Sequence, residues 1–408
     1  MFVGRKKELD ALNSRYKSNR KEFGVLYGRR RIGKSSILNE FLKGKKGILF
    51  QAKQDNSYGN LKSFSYEVDH LLNLPDTFVF ASWQHAFKSI QEYAKNERFV
   101  LIIDEYPYIV SQDSSFSSVL QEFIDHASDN MMVILSGSDI GFLQKEIQNH
   151  ASPLYKRRTF EMEIKKMNFM DAKEFVKMED VESQASYLCL MSGYPYYLST
   201  IDHTKTFYEN IQYLLFNEFG TFFNLPDQLL SNSTNVQDVY NSILVSISKR
   251  NRTIKTISED IHEAEAKVSK YISTLIKSEI VEKKNMYNGN KRTIYYDISD
   301  SMLKLWYTLI FENQEKIKIN GNLVFERNKE KLDSFLSFEF ENLSILYMDM
   351  LNEKGELEDI FPHIQNYKVD NSKLSRSIEI DGITSTKEYL LVMDCKYRNK
   401  KYTKDMYE

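Results

Sequence analysis

A glycine-rich segment that follows a short apolar run limits what this chain can fold into more than any other feature of its sequence. The residues Gly28-Arg-Arg-Arg-Ile-Gly-Lys-Ser35 fit the pattern G-x-x-x-x-G-K-[ST]. They come directly after the apolar run 23–27 and before a predicted helix that extends to Leu42. Glycines at these positions let backbone N–H groups converge on phosphate oxygens, and the helix directs its positive end toward them. The segment therefore predicts a phosphate-binding loop between a strand and a helix.

Two side chains of this loop have predicted chemical roles. Lys34 is expected to reach the β- and γ-phosphates of ATP, and the Ser35 hydroxyl is expected to bind Mg²⁺. A chance match in a basic loop is the alternative, but the flanking strand and helix are the context that such a site requires. The loop residues expected to contact the nucleotide are Gly28, Arg29, Arg30, Arg31, Ile32, Gly33, Lys34, Ser35 and Ser36.

A second apolar run ends in two carboxylates. The run 99–103 reads as a buried strand that presents Asp104 at its carboxyl end, followed by Glu105. Asp104 is predicted to bind the Mg²⁺ shell, and Glu105 is predicted to polarise an attacking water. A strand that merely ends in acidic turn residues is the alternative, which the phosphate-binding loop makes less probable.

The arrangement of apolar runs predicts an α/β fold. The runs 48–50, 99–103 and 131–135 are unbroken, as in strands of a parallel sheet that is covered on both faces. With 408 residues, of which 42% are hydrophobic, the chain is expected to form two to four domains, at roughly 150 residues per domain. No run approaches the ~20 apolar residues of a membrane helix, and the N-terminus lacks the layout of a signal peptide. We therefore expect a cytoplasmic protein.

The middle of the chain reads as a helix-turn-helix followed by a hairpin. The helices are predicted at 253–261 and 264–276, and the hairpin at 280–296 with its tip at Asn288-Gly289. Although the net charge is −2, residues 249–292 contain 11 Lys or Arg against 6 Asp or Glu. The side chains predicted to contact DNA phosphates are Lys267, Lys270, Lys283, Lys284, Lys291 and Arg292. A module that only packs against the rest of the protein is the alternative.

Four further segments carry a resemblance to a known family. They are Phe2-Val-Gly-Arg5 with Glu8-Leu9, Ser136-Gly-Ser138, Ser152-Pro-Leu-Tyr-Lys-Arg-Arg158 and Ser192-Gly-Tyr-Pro-Tyr-Tyr-Leu198. In this order they resemble the AAA+/STAND-type P-loop ATPases of archaea and bacteria that carry a winged helix and a C-terminal nuclease-like domain of unknown function. One departure is Lys156, which stands where the family usually has glycine.

The resemblance implies roles for several residues. Phe2, Val3, Gly4 and Arg5 would lie beside the adenine, Ser138 would sense the γ-phosphate, and Pro195 would shape the turn of a helical lid. Arg157 or Arg158 would act as an arginine finger, on its own or on a neighbour's nucleotide; pairing with surface carboxylates is the alternative. The implied domains are a P-loop AAA+ core at 1–165, a helical lid at 166–235, a winged helix at 236–300 and a restriction-endonuclease-like α/β domain at 301–408.

The last domain carries an acidic cluster that resembles the PD-(D/E)XK nuclease core. Glu341 is predicted on a long helix, Asp381 on a strand, and Asp394 and Lys396 at the end of the next strand. The resemblance implies that Asp381 and Asp394 share a second Mg²⁺ or Mn²⁺, that Glu341 completes its shell, and that Lys396 orients a hydroxide. By pattern alone, a solvated charge cluster is the better interpretation, and a core that only binds DNA is a further alternative.

These observations give a leading hypothesis and a runner-up. The leading hypothesis is a DNA-associated ATPase whose nucleotide state controls a metal-dependent nuclease-like domain. The runner-up is a STAND-like switch or transcription regulator that does not cut DNA. A homo-oligomer or a protein partner fits either hypothesis. A third interpretation, an inert scaffold that binds ATP structurally, is disfavoured by Glu105, because a scaffold needs no water-polarising carboxylate.

Overall fold

The structure is a computed structural model that describes residues 2–72, 78–177, 180–230, 237–250, 252–284, 294–371 and 376–397. The chain divides into two compact units, Met1–Lys166 and Met167–Glu408. Within the described residues, no helix is both long enough and apolar enough to cross a membrane.

The first unit alternates strands and helices along the chain. Its strands are β1 (Glu22–Tyr27), β2 (Gly47–Gln51), β3 (Phe99–Asp104), β4 (Met131–Gly137) and β5 (Phe160–Glu163). Its helices are α1 (Lys6–Tyr16), α2 (Lys34–Leu42), α3 (Ser57–Leu72), α4 (Trp83–Tyr93), α5 (Pro107–Gln112), α6 (Phe116–His126) and α7 (Ile140–Gln148). The predicted α/β class is confirmed.

The five strands form one parallel sheet in the order β2-β3-β4-β1-β5. Every residue of β1, β3 and β4 is buried, because these strands are unbroken apolar runs in the middle of the sheet. Tyr27 at the end of β1 lies opposite Gly137 at the end of β4, so the loops that follow the strands emerge at one edge of the sheet. That edge is where the phosphate-binding loop and the acidic pair were predicted to meet.

Aromatic side chains fill one face of this sheet. The ring centroids of Phe64 and Trp83 lie 5.2 Å apart, and those of Trp83 and Phe116 lie 4.8 Å apart. Burying one such side chain completely stabilises the fold by about 1.5–3 kcal/mol. The packing therefore fixes α3, α4 and α6 against the sheet.

The second unit is mainly helical in its first part. Its helices are α8 (Phe169–Lys173), α9 (Val181–Met191), α10 (Pro195–Leu198), α11 (Phe207–Leu215), α12 (Leu225–Leu229), α13 (Gln237–Ser248), α14 (Ile254–Ile261), α15 (Glu265–Lys277), α16 (Ser301–Leu305) and α17 (Gln314–Glu353). A π-helical turn at Trp306–Ile310 and a 3₁₀ turn at Phe311–Asn313 join α16 to α17.

Two small antiparallel sheets belong to the same unit. One pairs β6 (Val281–Lys284) with β7 (Tyr295–Ile298), and an isolated bridge joins Arg252 to Tyr296. The other has the order β10-β9-β8, with β8 at Gln365–Asn371, β9 at Arg376–Ser385 and β10 at Leu390–Met393. The predicted hairpin tip, Asn288-Gly289, lies outside the described residues.

The long helix α17 bends near its start, at Asn320, whose φ of −157° and ψ of 83° are not helical. The next residue, Gly321, packs against the backbone of Phe216, which follows α11. A Cβ added to Gly321 would lie 1.9 Å from the carbonyl oxygen of Phe216. Only glycine allows this approach. The helix continues on both sides of this bend, from Gln314 to Glu353, and includes Glu341, which was predicted on a long helix.

Candidate nucleotide-binding site

The phosphate-binding loop connects the end of β1 to the start of α2. Arg31 and Gly33 have positive φ values of 68° and 95°, which turn the loop back before Lys34 begins the helix. Gly28 packs against the following part of the chain, since a Cβ there would lie 2.3 Å from the carbonyl oxygen of Ile164. The loop is therefore held tightly at both ends, with the N-terminal end of α2 directed into it.

Lys34 is buried within the curve of this loop. Its ammonium donates hydrogen bonds to the carbonyl oxygens of Gly28, at 2.9 Å, and Arg29, at 3.3 Å. Only 5% of its surface is exposed. Its predicted contact with the phosphates of a bound nucleotide stays a prediction.

Asp104, at the end of β3, is completely buried and lies beside the loop. Its Oδ2 accepts a hydrogen bond of 2.5 Å from Ser35 Oγ, and its Oδ1 accepts one from Ser136 Oγ. The Glu105 N–H donates to Oδ1 at 3.1 Å. Hydroxyl and carboxylate oxygens are the ligands that Mg²⁺ prefers, so Ser35 and Asp104 fit the predicted magnesium site.

Glu105 takes an unusual backbone conformation just after Asp104. Its φ is 53°, in the left-handed region that non-glycine residues seldom adopt. Its Oε2 accepts hydrogen bonds from the backbone N–H of Ser138, at 3.1 Å, and from the Ser138 hydroxyl, at 3.0 Å. The predicted water-polarising residue and the predicted γ-phosphate sensor are therefore in direct contact.

The N-terminal segment packs against the loop through Arg5. This side chain is 4% exposed, donates to the carbonyl oxygen of Ile32 at 3.0 Å and pairs with Glu8 at 2.8 Å. Phe2, Val3 and Gly4 lead directly into Arg5. Their placement beside an adenine stays a prediction.

Comparison with known proteins agrees with this geometry. Residues 2–201 match the model of a family described as an ATPase domain predominantly from Archaea. The first unit and the beginning of the second unit are therefore similar to this ATPase domain. Residues 306–406 match a second family, described as archaeal and bacterial proteins of unknown function.

Two proteins of Methanocaldococcus jannaschii are similar in sequence. An uncharacterised protein is 26% identical over 362 residues, which are 88% of this chain and 79% of the relative. An uncharacterised ATP-binding protein is 46% identical over 46 residues, which are 11% of this chain and 78% of the relative.

Two solved structures share the fold. A Walker-type ATPase of Pyrococcus abyssi has a TM-score of 0.59 and 18% identity, and the match covers 75% of this chain and 96% of that chain. The ORC2 protein of Aeropyrum pernix has a TM-score of 0.50 and 12% identity, over 77% of this chain and 93% of that chain.

Ser136 belongs to the segment Ser136-Gly-Ser138, one of those that carry the family resemblance, but no role was predicted for this residue itself. Its hydroxyl, at the end of β4, holds the second oxygen of Asp104. A serine that ends an otherwise apolar strand was the available signal. Arg30 also gains a partner that was not predicted, the hydroxyl of Tyr108 at 3.1 Å.

The two candidate arginine fingers of the ATPase domain are paired with carboxylates. Arg157 makes two hydrogen bonds to Asp125, at 2.8 and 3.0 Å. The backbone carbonyl of Asp125 also accepts a hydrogen bond from the ammonium of Lys21, the residue just before β1. The phosphate-binding loop follows the other end of β1. Six residues of strand span roughly 20 Å. The pairing with Asp125 therefore places Arg157 toward the end of β1 that is opposite the phosphate-binding loop, and its action on a nucleotide stays a prediction.

Arg158 is also held in place. It donates to Glu161 at 2.8 Å and to the carbonyl oxygen of Ile147 at 3.1 Å. The alternative interpretation, a basic loop paired with carboxylates, describes both side chains. Action of either arginine on a neighbouring copy's nucleotide stays a prediction.

Pro195 belongs to the second unit, where it starts α10. The turn before it depends on Gly193, which has a φ of 74° and whose Cβ would lie 2.5 Å from the carbonyl oxygen of Met167. Tyr197 fixes the turn from the other side by donating to Asp300 at 2.6 Å. The proposed role of Pro195 in covering a nucleotide stays a prediction.

The predicted acidic cluster of the second unit is brought together by α17, β9 and the segment after β10. The Cys395 N–H donates to Asp381 Oδ2 at 2.6 Å, and Lys396 pairs with Asp394. Burial, followed by the neighbouring charge of Asp381, raises the pKa of Glu341 to about 7. Burial also raises the pKa of Asp381. The four predicted residues therefore lie in one neighbourhood.

The predicted second metal is not supported by this cluster. Among the residues that the structure describes, no group of three or more His, Cys, Asp or Glu side chains is arranged to hold a metal ion. Glu339 does not provide another ligand, because it is buried against Lys304, at 3.1 Å, and Ser301, at 2.7 Å. The arrangement therefore does not fit a closed metal site.

The predicted phosphate-contacting lysines have different surroundings. Lys284 pairs with Asp297 at 3.0 Å and donates to Asn342 at 3.2 Å, partners that the sequence did not predict. Its contact with DNA stays a prediction. Lys267 pairs with Glu263 at 2.6 Å. Lys270 and Lys283 are exposed. Lys291 and Arg292 lie outside the described residues.

Proposed function

We propose that this protein hydrolyses ATP at the edge of its parallel sheet, and that the nucleotide state governs how its second unit binds DNA. The observation that carries the proposal is the meeting of Lys34, Ser35, Asp104 and Glu105 at one edge of the sheet, through the contacts described above. A site that only held a nucleotide would need no carboxylate beyond Asp104.

The chain's own residues supply the proposed chemistry. The loop N–H groups and Lys34 bind and orient the phosphates, and Ser35 and Asp104 hold Mg²⁺. When bound, Mg²⁺ neutralises charge that develops on the phosphate oxygens. Glu105 accepts a hydrogen bond from the attacking water and so directs the water at the γ-phosphorus.

The contact between Ser138 and Glu105 adds a regulatory element to this proposal. The same hydroxyl cannot donate to Glu105 and to a γ-phosphate oxygen at once, because a hydroxyl has one proton to donate. A γ-phosphate that engages the Ser138 hydroxyl would remove one of the two hydrogen bonds that Glu105 accepts and would leave the bond from the Ser138 N–H in place. The contact would thus respond to the presence of a γ-phosphate.

Steady-state turnover of Mg²⁺-ATP tests the ATPase proposal. Lys34→Ala should abolish both nucleotide binding and turnover, whereas Lys43→Ala, at an exposed position just after the same helix, should change neither. Full turnover by the Lys34→Ala protein would refute the proposal.

DNA binding by the second unit is supported by two features. The helices α14 and α15 precede the β6–β7 pair, in the order of a winged helix, and Lys270 and Lys283 are exposed on this module. Binding of labelled duplex DNA at increasing salt tests this part. If these lysines contact phosphates, Lys270→Ala and Lys283→Ala should each flatten the salt slope by about 1. An unchanged slope in both variants would favour the alternative, a module that serves only as a packing element of an ATP-driven switch.

Nuclease activity is a second candidate function, favoured by the order α17-β8-β9-β10 and by the proximity of Asp381, Asp394 and Lys396. Against it stands the finding that no three acidic, His or Cys side chains among the described residues are arranged to hold a metal ion. To test for this activity, a supercoiled plasmid is incubated with Mg²⁺ or Mn²⁺ and either the unmodified protein or the Asp394→Ala variant, and cleavage is compared. Cleavage by the unmodified protein alone would support a nuclease. Equal inertness of the two proteins, with ATP turnover intact, would favour the switch without cleavage.

A further inference from the structure

A pocket of about 370 Å³ adjoins the acidic cluster of the second unit. Its walls come from α8, α9, α17 and the residues that follow β10. The segment after β10 is fixed there by Tyr397, whose hydroxyl lies 2.7 Å from Ser186 Oγ on α9 and whose ring lies 5.5 Å from Phe340. The pocket is thus a built feature of this unit, and it has the size of a small-ligand site.

The interior of the pocket suits a flat, largely apolar group. Phe169 and Tyr347 stand edge to face, with ring centroids 5.5 Å apart, and Met348 and Met393 extend the apolar lining. Tyr347 is 43% exposed, so one side of its ring is accessible to a ligand. Gln184 contributes an amide to the same lining, and an amide can both donate and accept hydrogen bonds.

The rim of the pocket has a different chemistry. Lys173 is exposed there, and Lys396 and Asp394 of the acidic cluster line the same pocket. A ligand that fits both regions carries a planar ring with hydrogen-bonding edges next to an anionic group. A nucleotide within a DNA strand has this combination, since its base can stack and its phosphate is charged.

We infer that the pocket receives one unpaired base of a DNA strand, with the adjoining phosphate at Lys173. This inference rests on the proposed DNA binding and makes it more specific. It predicts a preference for DNA with unpaired bases over fully paired duplex, because a base within a duplex cannot enter a pocket of this kind.

The test measures binding of the full-length protein to a fluorescein-labelled oligothymidylate and to a blunt duplex of equal length, in EDTA so that nothing is cleaved. Tyr347→Ala should weaken single-strand binding by roughly 5- to 150-fold, the usual effect of losing one stacking ring, and should leave duplex binding unchanged. Tyr347→Phe keeps the ring and should retain the affinity. Tyr389→Ala is the matched control, because Tyr389 is also 43% exposed but does not line the pocket.

The outcomes separate this inference from the proposed function. If the unmodified protein binds neither DNA, the proposed DNA binding is wrong and the inference with it. If it binds DNA, and Tyr347→Ala binds the single strand as well as Tyr389→Ala does, the pocket inference is wrong while the proposed DNA binding stands. An oligonucleotide that carries iodouracil gives an independent readout: ultraviolet crosslinks should map to Phe169 or Tyr347, and crosslinks found only elsewhere would overturn the inference.

Discussion

Ser138 donates two hydrogen bonds to a single carboxylate oxygen of Glu105, one from its backbone N–H and one from its hydroxyl. Glu105 has a left-handed backbone conformation, and these two bonds hold its carboxylate at Ser138, the residue that follows β4. The residue expected to activate water is therefore restrained by the residue expected to detect the γ-phosphate.

Replacement of Ser138 tests this relationship. Ser138→Ala removes a hydroxyl that is expected to bond to the γ-phosphate, and the loss of one hydrogen bond to a charged group corresponds to roughly a tenfold lower kcat. The affinity for ADP should not change, since ADP has no γ-phosphate. Ser118→Ala, an exposed serine on α6, is the control. An unaltered kcat in Ser138→Ala would show that the contact has no part in turnover.

Glu105→Gln separates binding from hydrolysis. The amide keeps the size of the side chain but is a poor proton acceptor, so kcat should fall by about 10²–10⁴ while ATP still binds. Equilibrium binding of a fluorescent ATP analogue and phosphate release measure the two quantities. A variant that turns over at the normal rate would remove Glu105 from the mechanism.

Asp104→Asn tests the magnesium site. The amide retains hydrogen-bonding capacity toward Ser35 and Ser136, yet it lacks the charge that attracts Mg²⁺. The Mg²⁺ concentration that gives half-maximal turnover should rise about tenfold or more. The same Mg²⁺ dependence in both proteins would contradict the assignment.

The buried pair Lys304–Glu339 should contribute strongly to the stability of the second unit. Both residues are 3% exposed. Glu339→Ala leaves the buried Lys304 ammonium with Asp297, at 2.9 Å, as its carboxylate partner, and losing one partner of a buried polar group should lower the free energy of unfolding by about 1–3 kcal/mol. Glu315→Ala, on the same helix, breaks the exposed ion pair with Lys318. It should change the free energy of unfolding by less than about 1 kcal/mol. Chemical unfolding of both variants measures the difference, and equal effects would contradict the prediction.

Glu22 should make the stability of the ATPase domain depend on pH. Burial alone would raise its pKa, but hydrogen bonds from Thr159, Ser18 and Arg20 outweigh burial and hold the pKa below its ordinary value of 4.5. The ionised group therefore stabilises the fold above pH 4.5, and this contribution is lost as the pH falls toward the lowered pKa. The difference in melting temperature between the unmodified protein and Glu22→Gln should shrink below pH 4.5. A difference that is constant with pH would show that the charge is not involved.

The sequence predicted the central strands, and the positions of the loop and the acidic pair after them, because both depend on local patterns. Unbroken apolar runs mark β1, β3 and β4, and the loop and the acidic pair follow two of these strands. The strands β5 and β8 were not predicted. In β5 two glutamates alternate with apolar residues at the edge of the sheet, and such a short pattern also fits a loop.

The partners of charged side chains were the part that the sequence did not reveal. Arg157 pairs with Asp125, 32 positions earlier, and Lys284 pairs with Asp297 on the opposite strand of the β6–β7 sheet. Both pairings arise from the packing of separate elements, so spacing along the chain gives no signal for them. The helix-to-strand order that brings Asp381 near Glu341 was predictable, whereas the absence of a third metal ligand near them among the described residues was not.

The most direct test of the ATP site at Lys34 is calorimetric titration of Mg²⁺-ATP, combined with measurement of phosphate release. Both are carried out on the unmodified protein, on Lys34→Ala and on Lys43→Ala. We predict one nucleotide bound per chain and measurable turnover for the unmodified protein and for Lys43→Ala, with both lost in Lys34→Ala. Binding and turnover by Lys34→Ala equal to those of the unmodified protein would place the nucleotide elsewhere and contradict the account.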